Sequence, residues 1–166
     1  MDKEFGLSKV HVYLDNTKNA FKDFKKLSEA GGLIMSWKTP EQLRTDYNID
    51  VEIKAGKLHY LQLTDKSYKS AHIPLKSEYI IRSCEESYQT KRPILLQGIE
   101  KLAHGAVSSA ISLIHALSES SANYETPVLI PLNKNFYIKE GLEPYLKEYV
   151  TEHKKRSILD KILGKP

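Results

Sequence analysis

Apolar and polar residues recur along the first part of the chain with two different periods, which predict strands and helices in turn. Val10 to Leu14 (VHVYL) is rich in β-branched and aromatic residues and predicts a strand. Asp15-Asn16-Thr17 supplies helix-capping chemistry for a predicted helix that runs to about Ala30 and ends at Gly31-Gly32. Leu33 to Trp37 predicts a second strand, and a right-handed crossover would make the two strands parallel. Thr39-Pro40-Glu41 then predicts the start of a short helix, with proline at its first position.

The longest apolar-rich segment runs from Pro93 to Leu117 and predicts a long central helix. Its apolar residues form a stripe wider than a surface helix needs, so we expect burial on most sides. The remaining polar side chains fall on one narrow line: Glu100, His104, Ser108, Ser112, His115 and Glu119.

Alternating residues on both sides of Ala55-Gly56 predict a β-hairpin from about Ile49 to Leu63. Pro127 to Leu132 (PVLIPL) predicts a buried strand, and Ile138 to Val150 a helix. A shorter strand is predicted between Tyr79 and Arg82. The order of elements favours one α/β domain over residues 1–153, with a mixed sheet, the hairpin (about 49–63) and the central helix (about 93–117).

Composition and charge narrow the class of protein without identifying it. The chain has 166 residues, of which 40% are hydrophobic and 28% charged, as in ordinary globular proteins. Its one cysteine, Cys84, cannot form an intramolecular disulfide, and the first ten residues lack the apolar core of a signal peptide. We therefore expect a cytoplasmic protein.

The strand predicted around Val51 offers the sharpest candidate for catalysis. Strand alternation would put Asp50, Glu52 and Lys54 on one face, where two carboxylates could hold a divalent cation and a lysine could orient water. Glu52-x-Lys54 resembles the second half of the PD-(D/E)xK nuclease motif. That resemblance implies a further metal-binding aspartate on a preceding strand, and neither Asp46 nor Asp15 stands at the right place.

Two histidines on the polar line of the central helix are candidate ligand-binding residues. His104 and His115 are separated by about 16 Å of helix rise, so a single ion cannot bridge them. A pocket along this line would suit a small-ligand sensor.

The residues from 154 to 166 form a short basic amphipathic C-terminal segment. Its cationic binding candidates are Lys154, Lys155, Arg156 and Lys161. Four aliphatic residues, Ile158, Leu159, Ile162 and Leu163, lie opposite the basic ones. Such a segment could engage a protein partner, mediate self-association or, more weakly, contact a nucleic acid or an anionic membrane surface.

The absence of a complete catalytic constellation favours a non-catalytic binding or regulatory protein that could form oligomers. No cofactor is expected, because the sequence contains no Gly-x-Gly-x-x-Gly, Walker or paired Cys-x-x-Cys motif. Two alternatives stay open: a metal-dependent nuclease or phosphodiesterase using Asp50, Glu52 and Lys54, and a small-ligand sensor. A divalent metal would be required only by the nuclease.

Overall fold

The structure is a computed structural model that describes residues 10–51, 58–63, 80–102 and 107–151. Its strands and helices in these ranges are β1 (Val10–Leu14), α1 (Thr17–Leu27), β2 (Gly32–Ser36), α2 (Pro40–Tyr47), β3 (Leu58–Gln62), α3 (Glu85–Gln89), β4 (Ile94–Leu96), α4 (Ile99–Leu102), α5 (Val107–Tyr124), β5 (Val128–Leu132), α6 (Lys134–Lys139) and α7 (Glu143–Leu146). Residues 80–83 are also helical, and a 3-10 turn, Lys147–Tyr149, follows α7.

The strands form one five-stranded sheet in the order β1-β5-β4-β2-β3. Every pairing between these strands is parallel, with Val10 opposite Val128 and Leu33 opposite Ile94. Parallel strands covered on both faces read as continuous apolar runs, and all five residues of β5 are buried. The predicted α/β class is confirmed.

Helices cover both faces of the sheet and enclose two apolar clusters. On one face of the sheet α1 packs through Ala20, Phe21 and Phe24. Their helical spacing places these residues on the same side of α1, and that side is buried against the sheet. The same cluster takes Leu43 of α2. We call the cluster on the opposite face, which lies under α5 and includes residues of α3, α6 and α7, the α5 layer. Within the described ranges, no helix is both long and apolar enough to pass through a lipid bilayer.

The predicted central helix begins later than its apolar pattern indicated. Ile94–Leu96 is strand β4, hydrogen-bonded between β2 and β5, and helical structure starts only at Ile99. A short apolar run is compatible with a buried strand and with a buried helix, and here it forms a strand of the sheet. The helix also continues beyond Leu117, to Tyr124.

The predicted mixed sheet with a hairpin differs from the described strands. β3 pairs in parallel with β2, and Ile49 to Val51 do not belong to a strand. Residues 52–57, which include the predicted turn, lie outside the described ranges. The alternating pattern nevertheless marks burial correctly, because Ile49, Val51 and Leu58 share one apolar cluster.

Two smaller predictions are corrected as well. Ile80 and Ile81, predicted to lie in a strand, are helical. The predicted helix from Ile138 to Val150 is instead a succession of short elements, with Gly141 at a φ of 63° separating α6 from α7. Val150 then forms a parallel bridge to Val12, which covers part of the outer edge of β1.

Candidate functional site: a cleft at the carboxyl edge of the sheet

The order of the strands creates two crevices at their carboxyl ends. The chain leaves β1 and β2 toward α1 and α2 on one face, and leaves β4 and β5 toward α4 and α6 on the other. Neighbouring strands with connections to opposite faces leave a gap between their loops, the position where open α/β sheets bind ligands. Such gaps lie between β1 and β5 and between β4 and β2.

An open cavity of about 450 Å³ lies over these two crevices. It is lined by the last two residues of β5 and by residues that follow β1, β2, β4 and β5: Asp15, Thr17, Trp37, Lys38, Gln42, Gln97, Gly98, Glu100, Pro131, Leu132 and Asn133. We call this cavity the carboxyl-edge cleft. Polar side chains dominate its lining, in contrast to the apolar layers on either side of the sheet.

The loops after β2 and β4 are tied together by one amide side chain. Ser36 Oγ donates a hydrogen bond to Gln97 Oε1 at 2.6 Å, and Gln97 Nε2 donates to the Tyr47 hydroxyl at 3.2 Å. The backbone N–H of Gln97 donates to Met35 O at 2.8 Å, which continues the strand pairing past its last residue. Both polar atoms of the Gln97 side-chain amide therefore have a partner, and these bonds fix the part of the cleft lining that Gln97 forms.

Trp37 and Gly98 meet in the same wall. The Trp37 indole N–H donates to Gly98 O at 3.2 Å. Gly98 has a φ of 99°, and a Cβ added there would stand 2.1 Å from Trp37 Cδ1. Only glycine permits this backbone conformation and this approach of the indole together.

Two carboxylates, Asp15 after β1 and Glu100 in α4, bind consecutive backbone N–H groups at the start of α6. Lys134 N donates to Asp15 Oδ1 at 2.9 Å, and Asn133 N donates to Glu100 Oε2 at 2.8 Å. Asp15 has a φ of 49°, a conformation that aspartate tolerates better than most residues. The sequence predicted Asp15 and Asn16 as caps of α1, but Asp15 binds the start of α6 and Asn16 makes no capping bond through its side chain.

Among the described residues that line the cleft, Lys38 is the cationic one. Its ammonium forms an ion pair with Asp46 at 2.8 Å, and this hydrogen bond raises the pKa of Lys38 above its usual value. The Tyr60 hydroxyl also donates to Lys38 O, which fixes the backbone there. Lys38 is therefore held toward α2 by a partner from this chain.

Of the candidate residues singled out from the sequence, Asp50 and His115 are among the described residues, and neither is in the cleft lining. Asp50 is half-buried in the irregular segment after α2, and Glu52 and Lys54 lie outside the described residues. His115 is exposed on α5, where its Nδ1 lies 3.0 Å from the Tyr149 hydroxyl.

The remaining binding candidates, His104, Lys154, Lys155, Arg156 and Lys161, also fall outside the described ranges. In the part of the chain that is described, no three or more histidine, cysteine, aspartate or glutamate side chains are grouped so that they could hold a metal ion. The nuclease and the tail-mediated interactions stay predictions.

Sequence reasoning missed most of the cleft, although one signal pointed to it. Several lining residues, such as Trp37, Gln97 and Asn133, follow the last apolar position of a strand by one or two residues. Polar residues directly after apolar runs would have identified the edge once β4 was recognised as a strand. Comparison with other proteins adds no assignment, because the chain matches no known protein family and no curated protein.

Proposed function

We propose that the protein binds a small polar molecule in the carboxyl-edge cleft and acts as a ligand-binding or regulatory protein. The observation that carries this proposal is the convergence of four strand-end loops on one cavity of about 450 Å³. Small-molecule sites in proteins occupy roughly 300–1,000 Å³ and lie preferentially at such switch points of α/β sheets.

The bracing of the walls supports binding rather than a passive surface depression. Gln97, Asp15 and Glu100 each use side-chain atoms to hold a neighbouring loop, so that the cavity exists before any ligand arrives. A site that is already shaped loses less conformational entropy when the ligand binds. Rigid loops at this edge therefore favour affinity for a small molecule.

Several polar atoms in the lining are available to a ligand. Asn133 Oδ1 accepts a hydrogen bond from Phe136 N, which leaves the amide Nδ2 as a donor. Gln42 Oε1 accepts from Thr39 N and leaves Nε2 in the same way. Asp15 and Glu100 each commit one oxygen to the backbone and present a second as an acceptor.

A binding experiment with a filled cleft tests this function. A library of small polar fragments is added to the labelled protein, and amide chemical shifts are followed by NMR. We expect the shifted amides to cluster at residues 15, 37, 98 and 133. Thr17→Phe, which places a ring in the cavity from a half-buried position, should abolish these shifts.

The matched control is Thr45→Phe, the same change at an exposed position on α2 outside the cleft, and it should leave the shifts intact. Fragment shifts that spread over the surface, or that persist in Thr17→Phe, would contradict a ligand site in the cleft.

A further inference from the structure

We propose that the basic segment, residues 154–166, lies across the carboxyl-edge cleft of its own chain and competes there with any ligand. Three features favour this occupant: the direction of the chain that leads into the segment, the length of the connection, and the charge of the cleft. The contact goes beyond the proposed ligand binding and does not depend on it, because the segment can occupy the cleft whether or not a ligand exists.

The direction is set by the last described residues, which run along the outer edge of β1. Val150 forms a parallel bridge with Val12, and Thr151 N donates to Val12 O at 2.9 Å. The other edge of β1 pairs with β5. Because the pairing is parallel, the residues that follow Thr151 head for the same end of the sheet as Leu14, the last residue of β1. The chain therefore leads to the carboxyl edge.

The connection is short enough to bring positive charge to the cleft at once. Continued by two residues past Thr151, the observed register brings residue 153 level with Asp15, which follows β1 and lines the cleft. Lys154 is the next residue, and the three residues from Thr151 to Lys154 span at most about 11 Å. Neighbouring strands lie about 4.8 Å apart. The first cationic side chains of the segment therefore come within reach of Asp15.

The charges of the cleft and of the basic segment are opposite. Among the described lining residues, Asp15 and Glu100 are negative, and the one ammonium, of Lys38, is paired with Asp46. The basic segment has one carboxylate, at residue 160, and five cationic side chains: Lys154, Lys155, Arg156, Lys161 and Lys165. Opposite charges attract the segment to the edge that its connection already reaches.

A short tether makes up for the weakness of the individual ion pairs. Each exposed pair changes an equilibrium constant only by a factor of about 1.4–5. A connection of a few residues, however, holds the basic segment near the cleft at an effective concentration on the order of millimolar. A ligand must then displace the segment, and its apparent affinity falls with the fraction of molecules in which the cleft is open. The segment is thus an autoinhibitory contact.

A nitroxide spin label shows where the segment lies in the full-length protein. Ser157→Cys provides the labelling site next to the cationic residues without removing charge, and a Cys84→Ala background makes it the single thiol. Amide signals close to the label broaden in NMR spectra. We expect broadening at residues 98 and 133, which line the cleft beyond β1. None is expected at residues 120–124, because this end of α5 leads to the start of β5 at the opposite edge of the sheet.

Neutralising the segment separates docking from simple tethering. With Lys154→Gln, Lys155→Gln and Arg156→Gln combined, broadening at residues 98 and 133 should fall at least about threefold, as the loss of three exposed ion pairs would give. Residues 13 and 14 should stay broadened, because the tether keeps the label beside the end of β1 in either case.

The matched control removes the same charge from exposed positions outside the cleft lining. Lys26→Gln, Lys91→Gln and Lys139→Gln combined should leave the broadening at residues 98 and 133 unchanged. Ionic strength gives a second readout that needs no charge variant. Raising it from about 0.01 M to about 1 M shortens the Debye length from about 30 Å to about 3 Å and should reverse the broadening in the cleft.

A mixed sample tests whether the contact forms within one chain. Spin-labelled protein without ¹⁵N is combined with ¹⁵N-labelled protein without the spin label, and no broadening is expected. Broadening of the cleft amides in this sample would assign the contact to a second copy and overturn the proposal.

Broadening confined to residues beside β1, or equal in the neutralised segment, would also overturn the autoinhibitory contact. The label reports position without a ligand, so either result leaves the proposed ligand site standing. Conversely, failure of the fragment library would contradict the ligand site and leave the position of the segment as measured.

Discussion

The α5 layer and the carboxyl-edge cleft are built by opposite means. In the α5 layer, residues such as Ile114, Leu117 and Ile130 are at most 1% exposed and pack by burial alone. At the cleft, Trp37 and Gln97 are only half-buried and are held by hydrogen bonds to specific partners. The α5 layer depends on the apolar surface area that it buries, whereas the carboxyl-edge cleft depends on the positions of its polar atoms.

The energies involved differ accordingly. Burying one large aliphatic side chain stabilises a fold by about 1.5–3 kcal/mol, whereas a typical hydrogen bond contributes about 0.5–1.5 kcal/mol net. The hydrogen bonds between the loops of the cleft therefore contribute less to the free energy of unfolding than the buried side chains of the α5 layer do. Their effect is to fix distances, which is the property that a binding site requires.

The largest effect is expected from a truncation in the α5 layer. Ile114 is fully buried, and Ile114→Ala should lower the free energy of unfolding by roughly 2–5 kcal/mol, because it leaves a cavity that the packed layer cannot close. Chemical denaturation measures this loss. Ile138→Ala, the same change at a residue that is 63% exposed, should cost less than about 0.5 kcal/mol. Equal losses for both variants would mean that burial does not distinguish the layer from the surface.

An intermediate effect is expected where the cleft itself is overfilled. Gly98→Ala introduces a Cβ that Trp37 must avoid at a φ of 99°, and should cost about 2–4 kcal/mol. Because Trp37 is the single tryptophan, its displacement should also change the fluorescence of the folded protein.

Gly141→Ala separates backbone strain from the steric contact. Gly141 also has a positive φ of 63°, but its added Cβ would meet no atom within 4 Å. This variant should cost about 1–2 kcal/mol and leave the fluorescence unchanged. Identical stabilities and spectra for the two variants would show that the indole does not depend on Gly98.

The smallest effect, per pH unit, comes from a titratable group in the α5 layer. Burial raises the pKa of the Cys84 thiol from its usual 9.0 to about 12, so the folded protein keeps a proton that the unfolded chain releases. The resulting stability is complete below about pH 9 and is lost as the pH rises toward about 12, by up to about 1.4 kcal/mol per pH unit.

Cys84→Ala isolates this contribution. Buried Tyr13 and Tyr88, whose pKa values are also raised chiefly by burial, act with the same sign at higher pH in both proteins. The slope of stability between about pH 9 and 10 should therefore be smaller in Cys84→Ala, as measured by urea denaturation at each pH. An unchanged slope would show that water reaches the thiol in the folded state.

The local elements near the beginning of the chain were predictable because their signals agree with one another. β1 has its predicted bounds, and Thr39 and Pro40 start α2 as N-cap and first-turn proline. β4 was not recognised, because Ile94–Leu96 is three residues long and merges into the apolar pattern of the following helix. Without β4, the order of the strands could not be derived.

The cleft depends on that order more than on any local pattern. Asp15 and Lys134 are far apart in sequence and meet only because β1 lies beside β5. Ser36 and Gln97 meet for the same reason at β2 and β4. A sequence pattern shows which side chains follow strands, whereas pairing across long separations decides which of them become neighbours.

The position of β1 sets the order in which the fold can be completed. Val10 pairs with Val128, and Thr151 N donates to Val12 O at 2.9 Å, so the first described strand finds its partners only near the other end of the described chain. Closing such a long loop slows folding. At about 5–20 residues per second, ribosomal synthesis of the intervening chain takes on the order of ten seconds. During that time β5, the strand that pairs with the apolar VHVYL segment among the described residues, has not been made, so the nascent chain is most prone to aggregate before β5 has emerged.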